Sequence, residues 1–375
     1  MKTMQLVPAM EQGGVERGVV ETSRALTAAG WENVVVSVGG RLAAEIELDG
    51  ARHVTLDLKS KNPLTYFARA ARLERLLEAE RPDVVCAHSR VPAWLFVRAN
   101  RRLGLPWITF AHGANSVSRY SRVMTYGDLT VTPSRYVADY LKANYPIAEE
   151  RIRVIPRAIE TGRFDVNALD RDFMAAQRVA WKTEGAFVVM GLGRITQLKG
   201  YDVLIRAVAE LVRSGARDRL GRPFRLVLVG EAEALRKDVA LRLEALVAEL
   251  GVGESVVFAG NQLKVAECLA LADAVVSSNV RKPEAFGRSM AEALAMDRPV
   301  VAKAFGGALD VVRDGVDGVL VRTGEDPLSA AHDFARAIAE VAAREFSGLR
   351  ESALRRFDFR TMTDRTLSVY KELAK

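Results

Sequence analysis

The sequence contains few cysteines and no long apolar segment. Two cysteines occur in 375 residues, Cys86 within an apolar strand pattern and Cys268 within a helical pattern. No metal-ligand spacing surrounds them, so we expect two buried free thiols rather than a disulfide, and a reducing cytoplasm. No run of 18 apolar residues is present, and Met1 and Lys2 lead directly into a short strand pattern. We therefore expect neither a membrane-spanning helix nor a secretory signal.

Low-complexity tracts are also absent, and hydrophobic residues make up 49% of the chain. This composition argues against extended disorder, and the length suits two domains of ordinary size. The net charge is +7, but residues 59–122 alone contain twelve basic and four acidic side chains. Such a face suits an anionic acceptor or an anionic membrane surface, with simple solvation as the alternative. No nucleic-acid motif accompanies it, so no nucleic-acid partner is predicted.

Strand and helix patterns alternate along the whole chain. This alternation predicts an α/β protein with two halves of similar build, each a parallel sheet covered by helices, facing each other across a cleft. We place the first domain at residues 1–165, a linker at 166–179 and the second domain at 180–356. An amphipathic C-terminal helix, 357–375, is predicted to return to the first domain.

In open parallel sheets, ligands bind beyond the carboxyl ends of the strands. The first strand of the chain is followed by Gly13 and Gly14, which open a helix. Paired glycines let the backbone approach a ligand closely, or simply make a tight turn. His88 and His112 follow two later strands. His112 is the stronger functional candidate, because it ends an apolar strand and the neighbouring Gly113 leaves room for a ligand.

In the second half, the strand ending at Gly193 is followed by Arg194 and Lys199 on one loop. No third glycine completes a dinucleotide-binding fingerprint, whereas a guanidinium and an ammonium together suit a diphosphate; ordinary surface charge is the alternative. Gly230 ends the next strand. The exit loop of the strand after it, at Asn261, offers backbone groups to a nucleobase.

Asp170 and Asp172 match an Asp-x-Asp pattern that holds a divalent ion in some enzymes. Here the pattern precedes an apolar helix start at Phe173 and Met174. Helix capping or a solvated turn is therefore the preferred interpretation, and no metal site is predicted.

One loop and the helix after it carry the most specific pattern. An apolar strand at 274–278 leads through a loop containing Glu284 into a helix that begins near Phe286 to Arg288, and Glu292 lies about one turn inside it. The unpaired amides at the start of a helix favour an anion such as phosphate. Carboxylates beside a phosphate site suit the hydroxyls of a sugar or ribose, with a solvated loop as the alternative.

These residues resemble a known family. Glu284 and Glu292 form a Glu-x7-Glu pattern that resembles the signature of the retaining GT-B glycosyltransferases of group 1. The resemblance covers nearly the whole chain and implies two Rossmann-like domains. It also includes Gly13-Gly14-Val15-Glu16-Arg17, His112-Gly113, Gly193-Arg194, Lys199-Gly200, Phe286-Gly287, Arg298-Pro299-Val300-Val301-Ala302 and Gly306-Gly307.

The chain departs from the family pattern in one place. Arg157-Ala158-Ile159-Glu160 stands where Asn-Gly-Ile-Asp is common. This departure puts a hinge or a cleft contact in question.

The resemblance implies a role for each matching residue. Arg194 and Lys199 would neutralise the diphosphate as the donor bond breaks, without a metal or another cofactor. Glu292 would accept from ribose hydroxyls, Glu284 from the transferred sugar, and His112 would contact the sugar or steer the acceptor. The other expected donor contacts are Gly13, Gly14, Gly193, Gly230, Asn261, Phe286, Gly287 and Arg288.

The expected reaction moves a hexose-type sugar from a nucleoside diphosphate sugar to a glycan or lipid-linked acceptor, in lipopolysaccharide or cell-surface polysaccharide synthesis. Attack on the leaving group's own face would retain the anomeric configuration, since no carboxylate pair spaced as in a retaining glycosidase is evident. The basic region 59–122 would then lie on the inner membrane face. Two other classes stay open: a nucleotide-sugar 2-epimerase, which uses no acceptor, and a non-catalytic nucleotide-sugar-binding subunit.

Overall fold

The chain divides into two compact units. The computed structural model describes residues 1–11, 13–232 and 237–374. The first unit comprises Met1–Arg157 and Arg360–Lys375, and the second comprises Ala158–Phe359. The C-terminal segment thus returns to the first unit, as the fold prediction required. The predicted linker at 166–179 lies inside the second unit, because its helix places Met174 in that unit's core.

The first unit is a seven-stranded, wholly parallel sheet with helices between the strands. Its elements in chain order are β1 Lys2–Leu6, α1 Gly14–Ala28, β2 Glu32–Ser37, α2 Ala43–Leu48, β3 Arg52–Thr55, α3 Tyr66–Glu80, β4 Val84–Ala87, α4 Arg90–Ala99, β5 Trp107–Phe110, β6 Leu129–Thr132, α5 Arg135–Asn144 and β7 Ile152–Val154.

The strand order of this sheet is β3-β2-β1-β4-β5-β6-β7. The chain builds outwards from β1 to one edge and then outwards from β4 to the other, so the direction of winding reverses between β1 and β4. Strands β4, β5 and β6 are buried along their whole length, as expected of a parallel sheet covered on both faces.

The second unit is a six-stranded parallel sheet of order β10-β9-β8-β11-β12-β13. Its winding reverses between β8 and β11. Its elements are α6 Arg171–Ala180, β8 Phe187–Leu192, α7 Tyr201–Arg213, β9 Phe224–Val229, α8 Lys237–Glu249, β10 Val256–Gly260, α9 Val265–Leu271, β11 Ala274–Ser277, α10 Arg288–Ala295, β12 Val300–Lys303, α11 Ala308–Val311, β13 Gly318–Val321, α12 Pro327–Ala342 and α13 Leu349–Phe357.

The last helix, α14, spans Phe359–Leu373. Its Tyr370 is fully buried and meets Trp31 edge-on, with ring centroids 6.4 Å apart. These contacts anchor the C-terminus in the first unit. Within the described residues, no helix is long and apolar enough to cross a membrane. Cys86 and Cys268 are both buried and unpaired, as predicted.

Candidate functional site

The second unit places its predicted charged residues at the point where the winding of its sheet reverses. Ligands of open parallel sheets bind in the crevice outside the carboxyl ends of the strands at such a point. The loop after β8 carries Arg194 and Lys199, and the loop after β11 carries Glu284. Because β8 and β11 are neighbouring strands, these two loops meet at one edge of the sheet.

Lys199 and Glu284 form an ion pair at this edge. Lys199 Nζ lies 2.5 Å from Glu284 Oε1, and the same oxygen accepts a hydrogen bond of 3.1 Å from Asn279 Nδ2. Both partners of the ion pair remain about a quarter exposed. A cation, a carboxylate and an amide are thus held together at a point open to solvent, where they can contact phosphate and hydroxyl groups.

The backbone fixes both loops around this pair. Ser278 Oγ donates to the carbonyl of Lys199 at 3.1 Å, which ties the β11 exit to the β8 loop. The amide of Gly307 donates to the carbonyl of Glu284 at 2.8 Å, which ties the β12 exit to the same loop. The ion pair therefore rests on three connected strand exits rather than on one free loop.

Helix α10 begins directly after this loop. Arg288 is its first residue and Glu292 lies one turn further on, both partly exposed. Phe286 is 5% exposed and packs edge-on against Phe357, with ring centroids 5.5 Å apart. Its side chain belongs to the core, so only the backbone of Phe286 can contact a bound sugar donor. Gly287 precedes the first helical residue, as the sequence pattern predicted.

Close packing of the backbone also explains the glycines at the ends of β8 and β9. A Cβ atom at Gly230 would lie 2.0 Å from the carbonyl oxygen of Gly193, so only glycine fits beside the neighbouring strand. Asn261 is exposed after β10. Strand β10 is two strands from β8, so the exits of these two strands are spaced roughly 10 Å apart along the edge.

The first unit brings two histidines together at its own point of reversal. His88 follows β4 and His112 follows β5, and their rings stack at 5.2 Å. His88 Nδ1 lies 3.0 Å from His112 Nε2, and His88 Nε2 lies 2.9 Å from Gln5 Oε1. Arg157 contacts His112 Nδ1 through its guanidinium. Both ring nitrogens of His112 are therefore engaged by neighbours within this unit.

The donor and the acceptor of each hydrogen bond in this run can be assigned from the groups at its two ends, Gln5 and Arg157. Gln5 Oε1 can only accept, so His88 carries its proton on Nε2 and accepts at Nδ1 from His112 Nε2. His112 Nδ1 is then an acceptor, which matches the guanidinium donor of Arg157. Asn33 Oδ1 accepts from Gln5 Nε2 at 3.5 Å, which fixes the orientation of the Gln5 amide. Both rings are thereby held neutral in one tautomer.

The electrostatics of the histidine pair agree with this assignment. Burial, together with the charge of Arg157, lowers the pKa of His88 to about 3. Burial, then Arg157 and then His88, lower the pKa of His112 well below its ordinary value. His112 is consequently suited to orienting a polar group and not to carrying a positive charge at neutral pH.

Gly13 and Gly14 stand at the start of α1, after β1 on the same edge of this sheet. Gly14 has open space where a side chain would be, whereas a Cβ atom at Gly13 would lie 2.5 Å from a carboxylate oxygen of Glu16. A ligand can therefore approach the backbone at Gly14. Gly13 is packed by the first turn of its own helix.

Comparison with known proteins decides the family. Residues 12–163 match the family model described as Glycosyltransferase Family 4, and residues 174–351 match Glycosyl transferases group 1. A D-inositol 3-phosphate glycosyltransferase from Geodermatophilus obscurus is 31% identical, with 90% of this chain and 79% of that protein covered. The chain belongs to the group 1 glycosyltransferases.

A second relative agrees with this assignment, and two solved structures share the fold. D-inositol 3-phosphate glycosyltransferase 1 from Catenulispora acidiphila is 32% identical to this glycosyltransferase, over 77% of this chain and 72% of the relative. A glycosyltransferase from Rickettsia africae matches its structure with a TM-score of 0.84 at 26% identity, covering 100% of this chain and 98% of that one. HepE from Anabaena, solved with UDP and glucose, gives 0.81 at 20% identity, covering 99% of each chain. The predicted GT-B fold class is confirmed.

The predicted site residues of this glycosyltransferase divide between the two units. His112, Gly13 and Gly14 lie in the first, and the others lie in the second. Sequence reasoning missed Asn279 and Gln5, ranked His88 below His112, and named Arg157 only as part of the departure from the family pattern. A glutamine inside the otherwise apolar β1 was a signal for Gln5, because a buried amide needs a partner.

Asp170 caps α6 with its side chain. Its Oδ1 accepts from the amide of Phe173 at 2.9 Å, and its carboxylate also pairs with Lys264. This confirms the capping interpretation of the Asp-x-Asp pattern. Across residues 1–11, 13–232 and 237–374, no three His, Cys, Asp or Glu side chains are grouped as a metal site.

Proposed function

We propose that this glycosyltransferase moves a hexose-type sugar from a nucleoside diphosphate sugar to a hydroxyl acceptor, with retention of the anomeric configuration. One observation carries the proposal. Lys199, Glu284 and Asn279 meet at the reversal point of the second sheet, beside the start of α10. This arrangement combines an anion site with hydroxyl acceptors.

The cations of the β8 loop would stabilise the leaving group. As the bond between the anomeric carbon and the phosphate oxygen breaks, negative charge develops on the diphosphate. Lys199, with Arg194 on the same loop, would meet that charge, and the first amides of α10 would add hydrogen bonds to phosphate. The cations lie on a short loop fixed at both ends, so little reorganisation would accompany the reaction.

The carboxylates would position the sugars. Glu284 Oε1 already accepts from Lys199 and Asn279, and its second oxygen would accept from a hydroxyl of the transferred sugar. Glu292 would accept from the ribose. The acceptor oxygen would form its bond to the anomeric carbon on the face that the diphosphate leaves, and the acceptor's proton would pass to the departing phosphate.

The donor class draws support from a protein of the same fold. HepE from Anabaena has been solved in complex with UDP-glucose. We propose the same class of donor here, with Asn261 and the β10 exit near the nucleobase. Gly193, Gly230, Gly287 and Arg288 would line the path of the diphosphate.

The acceptor would carry a hydroxyl and a phosphate or similar anion. The relatives above are named for D-inositol 3-phosphate, and the excess of basic side chains in residues 59–122 suits an anionic acceptor. We propose a phosphorylated glycan or lipid-linked glycan of lipopolysaccharide or cell-surface polysaccharide synthesis, used in the cytoplasm at the inner membrane face. D-inositol 3-phosphate is the water-soluble alternative with the same chemistry.

The test begins with donor binding. Sugar nucleotides of UDP, GDP, ADP and CMP are screened by thermal shift, and the donor that stabilises the fold is offered to each acceptor. Product anomers are then assigned by NMR. Transfer with retention supports the proposal. An isomerised donor without acceptor would identify an epimerase, stabilisation without turnover would identify a binding subunit, and inversion would refute the same-face mechanism.

A further inference from the structure

An aromatic groove opens at the carboxyl edge of the first sheet. Its volume is 640 Å³, and its lining includes Pro63, Tyr66, Phe67, Trp94 and Tyr120. These residues come from the segments that follow β3, β4 and β5, so the groove lies on the same edge of the sheet as the histidine pair. Nothing in the proposed donor chemistry uses it.

Two polar ring atoms of the aromatic groove are already hydrogen-bonded within the protein. Trp94 Nε1 donates to the carbonyl of Tyr120 at 2.9 Å, and the Tyr66 hydroxyl donates to the carbonyl of Trp94 at 2.9 Å. The rings therefore present mainly apolar surface. These rings offer few partners to the hydroxyls of a glycan, whereas hydrocarbon needs none.

An apolar tip, formed by Leu64 and Phe67, projects beside the groove. Leu64 is 89% exposed and Phe67 is 66% exposed. The tip is rigidly displayed, because Arg69 donates to the carbonyl of Asn62 at 3.2 Å and to Thr65 Oγ1 at 3.1 Å. Adjacent exposed apolar side chains on an ordered turn indicate a surface that meets another apolar phase.

Positive charge surrounds the apolar tip and the groove. Lys59 and Lys61 are exposed on the turn before the tip, and Arg90 stacks over the Tyr120 ring at 5.3 Å. One carboxylate, Asp57, lies on the same turn, where it accepts from the amides of Lys59 and Ser60. The first acidic residue of α3, Glu74, comes eight residues after Tyr66, or about 12 Å along the helix. This end of the unit is therefore complementary to an anionic surface.

We propose that the aromatic groove and the apolar tip dock this glycosyltransferase on an anionic phospholipid bilayer. Leu64 and Phe67 insert among the acyl chains, Trp94 and Tyr120 lie at headgroup level, and the lysines meet the anionic headgroups. The purpose of docking rests on the proposed function, since it would bring a lipid-linked acceptor to the same edge as the histidine pair. The binding itself is independent of the donor.

The experiment measures vesicle partitioning of the full chain. Phosphatidylcholine vesicles, with and without about one third phosphatidylglycerol, are floated with wild type and with Leu64→Ser/Phe67→Ser. We expect binding to the anionic vesicles that weakens with added salt, and a loss of about tenfold or more in the double variant. Lys59→Glu/Lys61→Glu is expected to lose binding to anionic vesicles by a similar factor.

Leu220→Ser is the matched control, because Leu220 is 62% exposed in the second unit, on the turn before β9. Equal partitioning of wild type and the double variant, or equal loss in the control, would overturn the proposal. Retention only by immobilised oligosaccharide, with no vesicle binding, would overturn it in favour of a glycan site.

Donor binding in the same variants separates this proposal from the function above. Thermal stabilisation by the sugar nucleotide should be unchanged in Leu64→Ser/Phe67→Ser. If wild type binds vesicles but transfers no sugar, the proposed reaction fails and the docking surface stands. If it transfers sugar but ignores vesicles, the docking surface alone fails.

Discussion

Replacing Lys199 with alanine tests the proposed leaving-group chemistry most directly. Lys199 and Glu284 are 25% and 26% exposed, and an ion pair at that exposure contributes about 0–1 kcal/mol to stability. A purely structural role therefore predicts a small change in Tm and near-normal turnover. Loss of a donor aimed at developing charge predicts a fall of about 10²–10³ in kcat. The two interpretations differ by more than tenfold, so one measurement separates them.

The assay compares kcat and KM for transfer in wild type, Lys199→Ala and Lys142→Ala. Lys142 is the matched control: its ammonium pairs with Asp139 at 3.1 Å and with Glu149 at 3.4 Å, and its side chain is 33% exposed. It lies on α5 in the first unit and should leave turnover unchanged. Thermal melts of all three proteins confirm that the fold is intact.

Glu284→Gln supplies the complementary measurement. The glutamine keeps the shape of the side chain but removes the negative charge beside the proposed diphosphate site. We expect a nucleoside diphosphate alone to bind about threefold to tenfold more tightly, because roughly 1 kcal/mol of repulsion is lost, while transfer falls. Lys199→Ala turnover within a factor of three of wild type, with unchanged nucleotide affinity in Glu284→Gln, would refute the reasoning.

Three further predictions concern the fold around the sites. Gly200→Ala should lower the free energy of unfolding by about 3 kcal/mol in urea denaturation, because φ at Gly200 is +65° and a Cβ atom would lie 1.9 Å from a carbonyl oxygen. Gly185→Ala is the control: Gly185 also has a positive φ but open space around it, so the loss should be only about 1 kcal/mol. Asp317→Ala should lose about 3–5 kcal/mol in the same assay, because Asp317 is fully buried against two arginines; a loss below about 1 kcal/mol would contradict this. His88 and His112 should remain neutral at pH 5, with the proton on Nε2, because the folded state lowers both of their pKa values. The free energy of unfolding should then decline as the pH falls from 6.5, the ordinary histidine pKa, towards about 3, because the unfolded chain binds the protons that the folded rings refuse. Ring ¹⁵N shifts typical of charged histidines at pH 5 would contradict this prediction.

The strand exits were predictable because each combines a short apolar run with a glycine or a change in polarity. Lys199 and Glu284 could thus be placed beyond the carboxyl ends of two strands from the sequence, once β8 and β11 were recognised as strands. The sequence also indicated where α10 begins. The sequence did not supply the strand order. In the folded sheet β8 and β11 are neighbours, although β9 and β10 lie between them along the chain.

The missed residues are those whose partners lie far away in sequence or point in an unexpected direction. The sequence pattern places Asn279 directly after a strand, and only the folded loop shows that its amide donates to Glu284. Gln5 and His88 are 83 residues apart and meet because β1 and β4 pair. Helix α12 was not predicted, although Asp326 before Pro327 is a recognisable cap.

The departure from the family pattern at Arg157 becomes understandable within the first unit. A shorter residue there would not reach His112, and His112 Nδ1 would lose its donor. The guanidinium instead completes a run of hydrogen bonds in which each group donates in the same direction, from Arg157 through His112 and His88 to Gln5. Arg157 is the last residue of this stretch of the first unit, so the orientation of His112 depends, through a hydrogen bond, on the residue at which the chain leaves that unit.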